Sequence, residues 1–246
     1  MNLLTETGWA GGPVGEPALA GEVTCDVAVV GGGVGGMTAA LRLAESGADV
    51  VLLEAQTCGW GASSRNAGYV TNSIAADPAL LALLFRREKV RALFQFAESA
   101  VEFTQESIAS RGIDCDFEKV GIVQAAVSKG QLRKARRNAK IMAEAGSSAE
   151  FVEGPEAGLP DGFLGGMREG IGGTLNPGKY VLGLRDAVLS SGARVFENTR
   201  VQDVAAGPAG VTVQTAGGRV RAEQALLTTN AYARDLAVTP RRLVSP

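Results

Sequence analysis

Cys25–Glu54, CDVAVVGGGVGGMTAALRLAESGADVVLLE, decides how this 246-residue chain is read. The stretch runs in the order apolar strand, glycine turn, helix, second strand, acid. Val27, Ala28, Val29 and Val30 form a continuous apolar run, as a strand buried on both faces of a parallel sheet requires. Gly31, Gly33 and Gly36 then satisfy G-x-G-x-x-G, with Val34 and Gly35 filling the two positions before the last glycine. The first glycine permits the tight turn, the second lets backbone approach a pyrophosphate, and the third lets the helix pack closely on the strand. A helix N-terminus presents free N–H groups and the positive end of its dipole to a phosphate. Ala39, Ala40, Leu43 and Ala44 are expected to form the helix's buried face, and Gly47 to stop it. Val50–Leu53 reads as the second strand. Glu54 follows at roughly the twenty-residue spacing at which a carboxylate accepts ribose hydroxyls, and it would repel a 2′-phosphate. The pattern predicts a dinucleotide-binding βαβ unit; the alternative is a nucleotide-free α/β turn.

Composition narrows the chemistry. The chain is 46% hydrophobic and 20% charged, with a net charge of −2, so its overall charge makes no case for nucleic acid or an anionic membrane. The basic run Arg133, Lys134, Arg136, Arg137 and Lys140 is local and reads as the solvated face of a helix. Histidine is absent, which excludes a Ser-His-Asp triad, a histidine base, histidine-ligated metal and a flavin attached through histidine. Cys25, Cys58 and Cys115 are scattered, with no metal-ligand spacing; reduced thiols and a cytoplasmic location are expected. The N-terminal segment lacks a basic, apolar leader and reads as an irregular arm lying on the surface through Trp9. No window approaches 18 uninterrupted apolar residues, so no membrane span is expected.

Beyond the fingerprint, Thr57–Val70, TCGWGASSRNAGYV, is rich in small residues where a nicotinamide-binding domain would move to its third strand. Small side chains admit a bulky flat ligand to the backbone, and Ser63 and Ser64 can bond phosphate or ribose. The alternative is an ordinary flexible loop. Ala79–Arg111 follows one helical period. A strand is expected at Phe117–Val127 and a helix from about Gln131 to Ala145. The region 154–177 is rich in Gly and Pro and reads as a crossing between domains. A helix from Pro177, capped by Asn176, ends at Gly192. Strands follow at Arg194–Glu197, Val201–Ala205, Val211–Thr215, Val220–Ala222 and Ala225–Thr228.

Three stretches together resemble a known family: VVGGGVGGMTAALRLAESGADVVLLEA, GWGASSRNAGYV, and GTLNPGKYVLGLRDAVLSSGARVFENTRV followed by LLTTNAYA. They are similar to FAD-dependent amine and amino-acid oxidases of the D-amino-acid oxidase/sarcosine oxidase (DAO) group, in its γ-glutamylputrescine oxidase-like branch. The likeness covers essentially the whole chain. Asn176-Pro177 departs from the His-Pro common in that group.

The resemblance implies an α/β fold: a Rossmann-like FAD-binding domain interleaved with an α+β substrate domain. The corresponding division is an arm at 1–24, FAD-binding segments at 25–78 and 177–246, and a substrate-domain portion at 79–176. It implies that Gly31, Gly33, Val34, Gly35 and Gly36 hold the FAD pyrophosphate, Glu54 the adenosine ribose, and Ala55 and Val201 the adenine. Ala62, Ser63 and Ser64 would meet the phosphates. Arg65, Asn66, Ala67, Gly68 and Tyr69 would pass near the ribityl chain and the flavin ring, and Thr228 and Thr229 would close over the pyrophosphate. No catalytic residue is assigned; Arg65 and Tyr69 are candidates by position only, and both serving only the cofactor is the alternative. The implied reaction is oxidation of a C–N bond in an amine or amino acid by hydride transfer to flavin, with O2 or another acceptor reoxidising it. Two alternatives stand beside it: an FAD-dependent dehydrogenase of a hydroxy acid, and a flavin-binding, non-catalytic subunit. Members of the group run well beyond this length, and the strand at 117–127 would lack neighbours, so either a second polypeptide completes the fold, as expected here, or the chain is a fragment.

Overall fold

The computed structural model describes residues 15–74, 76–154 and 158–236. The expected role of Trp9 lies outside them. The chain forms two compact units, one running to Asn66 and resuming at Pro177, the other Ala67–Asn176. The first crossing thus falls after Asn66, earlier than the boundary at residue 78 expected from the sequence.

The first unit is built on β1 (Gly21–Val30), α1 (Val34–Glu45) and β2 (Val50–Leu53). β1 starts at Gly21, inside the segment expected to be an irregular arm, because residues 21–25 find a parallel partner far along the chain. Numbering the remaining elements in chain order, the unit continues with α5 (Pro177–Ser190), β8 (Arg194–Phe196), β9 (Val201–Gly207), β10 (Gly210–Thr215) and β11 (Gly218–Leu227). The sheet order is β8-β2-β1-β11-β10-β9. β8, β2, β1 and β11 run parallel, while β9, β10 and β11 form an antiparallel meander. The two strands expected at Val220–Ala222 and Ala225–Thr228 are one. Its first half pairs with both β10 and β1, its second half with β1.

Alternation along the strands makes two cores. Ala28, Val30, Val51, Leu53, Val213 and Val220 share one apolar cluster with Leu19. Val29 and Leu52, of opposite parity, are fully buried, as are Met37 and Ala40 of α1 and Leu184 of α5; α1 packs against both β2 and α5. The buried face of α1 is Gly36, Met37, Ala40 and Leu41. The expected Ala39, Leu43 and Ala44 are only partly buried.

The second unit contains β3 (Tyr69–Val70), α2 (Pro78–Leu84), α3 (Arg87–Arg111), β4 (Ile122–Ala126), α4 (Lys129–Glu144), β5 (Ala149–Glu153), β6 (Gly165–Glu169) and β7 (Gly173–Thr174). β4, β6 and β5 form an antiparallel sheet in that order, and β3 pairs with β7. Phe94, Met142 and Met167 anchor the core between helices and sheet. The single helix expected at 79–111 breaks at Phe85–Arg86, where both residues are extended. Asp77 caps α2 by accepting the Ala79 N–H at 2.9 Å, with Pro78 in the first turn. The strand expected at 117–127 is shorter, and β6 lies beside it within the stretch expected to be an irregular crossing. Glycine and proline hid β6 because its glycines, Gly165 and Gly166, sit where neighbouring backbone passes too close for a side chain. The expectation that this strand lacks a neighbour is therefore overturned, along with that ground for a second chain.

The basic residues of α4 are solvated and tied to acids: Lys134 to Asp77 at 2.7 Å, Arg136 to Glu153 at 2.7 Å. The three cysteines are buried free thiols. Among the described residues, no helix is long and apolar enough to cross a membrane.

Candidate cofactor site

Gly31 turns the chain at φ +110° as β1 ends, a conformation that disfavours any residue with a Cβ. Its N–H donates to Leu53 O at 2.8 Å, joining the turn to β2. Gly36 has the opposite reason to be glycine. A Cβ there would collide with the Gly31 carbonyl oxygen and stand 2.5 Å from Thr228 Oγ1. α1 thus starts as close to the strand ends as backbone allows.

Gly33 is the N-cap of α1, and no acidic residue stands in the first turn. The first four N–H groups of any α-helix lack a partner within the helix. The Met37 N–H is bonded to Gly33 O at 2.9 Å, and the Val34 N–H donates to Ser63 Oγ at 3.0 Å. A Cβ on Gly33 would come within 2.9 Å of that same hydroxyl, whereas a Cβ on Gly35 would enter open space. A side chain at Gly33 would have to displace the Ser63 hydroxyl that bonds the Val34 N–H, whereas one at Gly35 would displace nothing.

A cleft of about 280 Å³ opens at this helix end. Gly31, Gly33, Glu54, Ala55, Ala62, Ser63, Val201, Thr228 and Thr229 line it. Nine residues expected from the sequence are thus gathered from five separate stretches. Glu54 Oε2 accepts the Gly32 N–H at 2.7 Å and Oε1 the Gln56 N–H at 2.8 Å. Each oxygen keeps a second lone pair, so the carboxylate is oriented by the turn and still able to accept hydroxyls. The Thr228 side chain lies within 2.9 Å of Val30 O and 3.0 Å of Gly31 O, buttressing the turn. Thr229 Oγ1 is buried with no hydrogen-bond partner among the described residues. An orphaned hydroxyl lining the cleft at a helix end with no acidic residue in its first turn is the arrangement an anionic, hydrogen-bonding ligand satisfies.

Other expected residues stand elsewhere. Ser64 is buried and donates its hydroxyl to Gly59 O at 2.6 Å, so it holds the loop and does not line the cleft. Arg65 donates from Nε to Trp60 O at 2.8 Å, with its guanidinium 5.0 Å from the Trp60 ring centroid. Asn66 donates to Ala62 O and Ser63 O, closing the short 3-10 turn at Ala62–Ser64. Ala67, Gly68 and Tyr69 belong to the second unit. Gly68 O accepts the Leu175 N–H at 2.9 Å, Tyr69 pairs with Thr174, and its side chain is 64% exposed.

Sequence reasoning missed Trp60, Thr199, Arg200 and Tyr232, which also line the cleft. Trp60 lay inside the small-residue segment already singled out. Thr199 and Arg200 immediately precede Val201, and the Thr199 N–H donates to Glu54 O at 2.8 Å. Tyr232 follows Thr229 on a short 3-10 helix, Asn230–Asp235, and lay within the quoted stretch LLTTNAYA, where only Thr228 and Thr229 were assigned a role.

The fold and the cleft define the class: an α/β protein with a dinucleotide-binding turn closed by an antiparallel meander. The chain belongs to the DAO family of FAD-dependent oxidoreductases, whose model matches residues 26–246. FAD is the cofactor of that family, and the acid-free N-terminus of α1, the oriented Glu54 carboxylate and the orphaned Thr229 hydroxyl fit it. The chain is 33% identical over 216 residues to gamma-glutamylputrescine oxidoreductase of Escherichia coli (strain K12), covering 87% of this chain and 50% of that protein. It superposes on the crystal structure of glycine oxidase from Geobacillus kaustophilus with a TM-score of 0.66 at 26% identity, covering 87% of this chain and 57% of the other. The L-amino acid deaminase from Proteus myxofaciens, solved in complex with anthranilate, shares the fold, with a TM-score of 0.76 at 19% identity over 94% of this chain and 51% of that one. The chain spans about half the length of the curated relatives it matches.

Proposed function

We propose that this chain carries the FAD-binding portion, and part of the substrate domain, of an enzyme that oxidises the C–N bond of an amine or amino acid. The observation that carries the reading is the convergence of Gly31, Gly33, Glu54, Ser63 and Thr229 on one cleft at the start of α1. In this reading the helix end and Ser63 meet the pyrophosphate, Glu54 orders the ribose hydroxyls, and Ala55 with the Val201 backbone borders the adenine. Thr229 closes the phosphate side, while Thr228 buttresses the turn beneath it. Arg65, Asn66, Ala67, Gly68 and Tyr69 lead from this end toward the flavin ring, and residues 67–176 form the substrate-domain portion. Bound flavin would supply hydride acceptance from the carbon next to a neutral amine, and the imine released would hydrolyse in water. The chain's own part is to bind and orient the cofactor; the reading requires no nucleophile or histidine base from it.

The names of the relatives supply the first substrates to try, γ-glutamylputrescine and glycine. The purified holoprotein is expected to be yellow, with a band near ~450 nm that bleaches anaerobically when an amine of this class is added. A colourless preparation that takes up no FAD would sink the cofactor assignment. A yellow protein bleached by 2-hydroxy acids and not by amines would overturn the C–N assignment alone.

A further inference from the structure

Glu197 is fully buried at the end of β8. Its Oε1 accepts the Cys58 N–H at 2.6 Å and the Arg185 Nε–H at 3.3 Å, and its Oε2 accepts the Glu16 N–H at 2.7 Å. Arg185, on α5, reaches on to Glu16 Oε1 at 2.8 Å. One carboxylate thus joins four separated pieces of chain: the segment before β1, the loop after β2, α5, and β8. Burying an ion pair is costly, and well-packed apolar residues of the same volume often serve stability as well. A purely structural role therefore accounts poorly for the pair.

The loop it grips is the one that shapes the cleft. Gly59, the residue after Cys58, donates its N–H to Gly32 O at 2.7 Å. Gly59 O in turn receives the Ser64 hydroxyl, and neighbouring Ser63 receives the Val34 N–H at the first turn of α1. Cys58 Sγ packs so closely on the turn that a Cβ on Gly32 would stand 2.8 Å from it. On the other side, Asn198 and Thr199, the residues following Glu197, donate their N–H groups to Gln56 O and Glu54 O. Both walls of the cleft nearest Glu54 are therefore referred to this one buried acid.

We propose that Glu197 is a positioning residue for the cofactor cleft, clamping the Cys58–Ser64 loop onto the Gly31–Gly33 turn so that the groups facing the phosphates stand in place before FAD arrives. The proposal rests on the reading of the cleft as the FAD site. Glu197 touches no cofactor atom in this scheme; it acts through the Cys58 and Gly59 peptides. Preorganisation of this kind raises affinity by lowering the ordering cost of binding.

The test measures FAD affinity by quenching of flavin fluorescence, thermal stability, and hydrogen exchange at the Cys58 and Gly59 amides. Four variants of the full chain are compared: Glu197→Gln, Arg185→Met, the two combined, and Val188→Ala as a control that loosens α5 far from the loop. An amide at 197 has one acceptor oxygen, so either the Cys58 and Arg185 donors or the Glu16 N–H would face an NH2. Glu197→Gln should weaken FAD binding by about tenfold and speed exchange at both amides. In the double variant neither buried charge remains, and the partly exposed Glu16 loses only its Arg185 partner, so thermal stability should recover in large part while the FAD affinity stays low. Val188→Ala should lower stability and leave affinity within about twofold of wild type. The proposal fails if Glu197→Gln binds FAD as wild type does, if the double variant regains affinity together with stability, or if Val188→Ala weakens FAD in proportion to its loss of stability. Wild-type protein that binds no FAD would overturn the cleft reading itself, and this proposal with it.

Discussion

Gly35 and Gly36 are adjacent in sequence and opposite in what they tolerate. A Cβ on Gly36 has nowhere to go, because the Gly31 carbonyl and the Thr228 hydroxyl already occupy its place. Gly36→Ala is expected to destabilise the first unit by about 1–3 kcal/mol, read from urea unfolding, and to abolish FAD uptake. Gly35→Ala meets open space in an ordinary helical conformation. It is expected to raise stability by about 0.5–1 kcal/mol in the FAD-free protein. Any loss of FAD affinity in that variant then reports the ligand and not the fold. The cysteines make a second residue-scale prediction. Burial first, then the charge of Asp49, pushes the Cys25 thiol up to about 11. Burial and the neighbouring Glu197 carboxylate push Cys58 higher still. Because the thiolate is the reactive form, native labelling with iodoacetamide at pH 8 should leave both unmodified. Mass-spectrometric detection of rapid carbamidomethylation at Cys58 would contradict the loop packing described.

At the scale of elements, α2 depends on a single acid. Asp77 caps its first turn and pairs with Lys134 of α4. The Lys134 hydrogen bond, assisted by the Ala79 N–H against the opposing effect of burial, holds the Asp77 carboxyl below its ordinary value. A carboxyl whose folded pKa is depressed contributes stability above its unfolded pKa and loses it as pH falls through the folded one. Asp77→Ala should therefore cost about 1 kcal/mol at neutral pH. The difference from wild type should vanish in acid unfolding curves once pH lies below the carboxylate range. Glu98 on α3 behaves with the same sign. Burial alone would raise its pKa, but the Ser148 N–H and the Ser147, Ser148 and Asn72 side chains that donate to it outweigh burial and leave it lowered. Periodicity marked α3 and α4 because their apolar positions recur each turn. It did not mark the break at Phe85–Arg86, since no glycine or proline interrupts the helix-compatible residues there, nor β5 and β6, whose short strands acquire their pattern only by pairing.

At the scale of the molecule, each unit has its own apolar core. Leu184 of α5 is fully buried in the first, and Phe94 of α3 nearly so in the second. Leu184→Ala should cost about 2–5 kcal/mol and Phe94→Ala about 3–5 kcal/mol, with hydrogen exchange accelerating first in the unit that carries the substitution. The nucleotide-binding half was legible in the sequence because its requirements are local: a steric demand for glycine at Gly31 and Gly36, an apolar run for a strand covered on both faces, and an acid at the end of the next strand. The late strands were legible too, apart from their joining into β11, whose length is set by β1 lying alongside it. What sequence reading missed shares one physical character, dependence on partners remote along the chain. β1 begins at Gly21 because β11 pairs with it. Ser64 turns to Gly59 and Ser63 to Val34, though the two serines looked alike in sequence. Tyr232 reaches the cleft because β11 lies beside β1, and Thr199 and Arg200 reach it because β8 pairs with β2 and the Thr199 N–H bonds Glu54 O. By itself the sequence determined the class of cofactor and the glycine turn at the start of α1, since a βαβ unit this tightly packed has few solutions. Tertiary structure alone decided which side chains face that cleft and how a buried acid on β8 comes to hold its wall, because both depend on contacts between segments that local propensity does not encode.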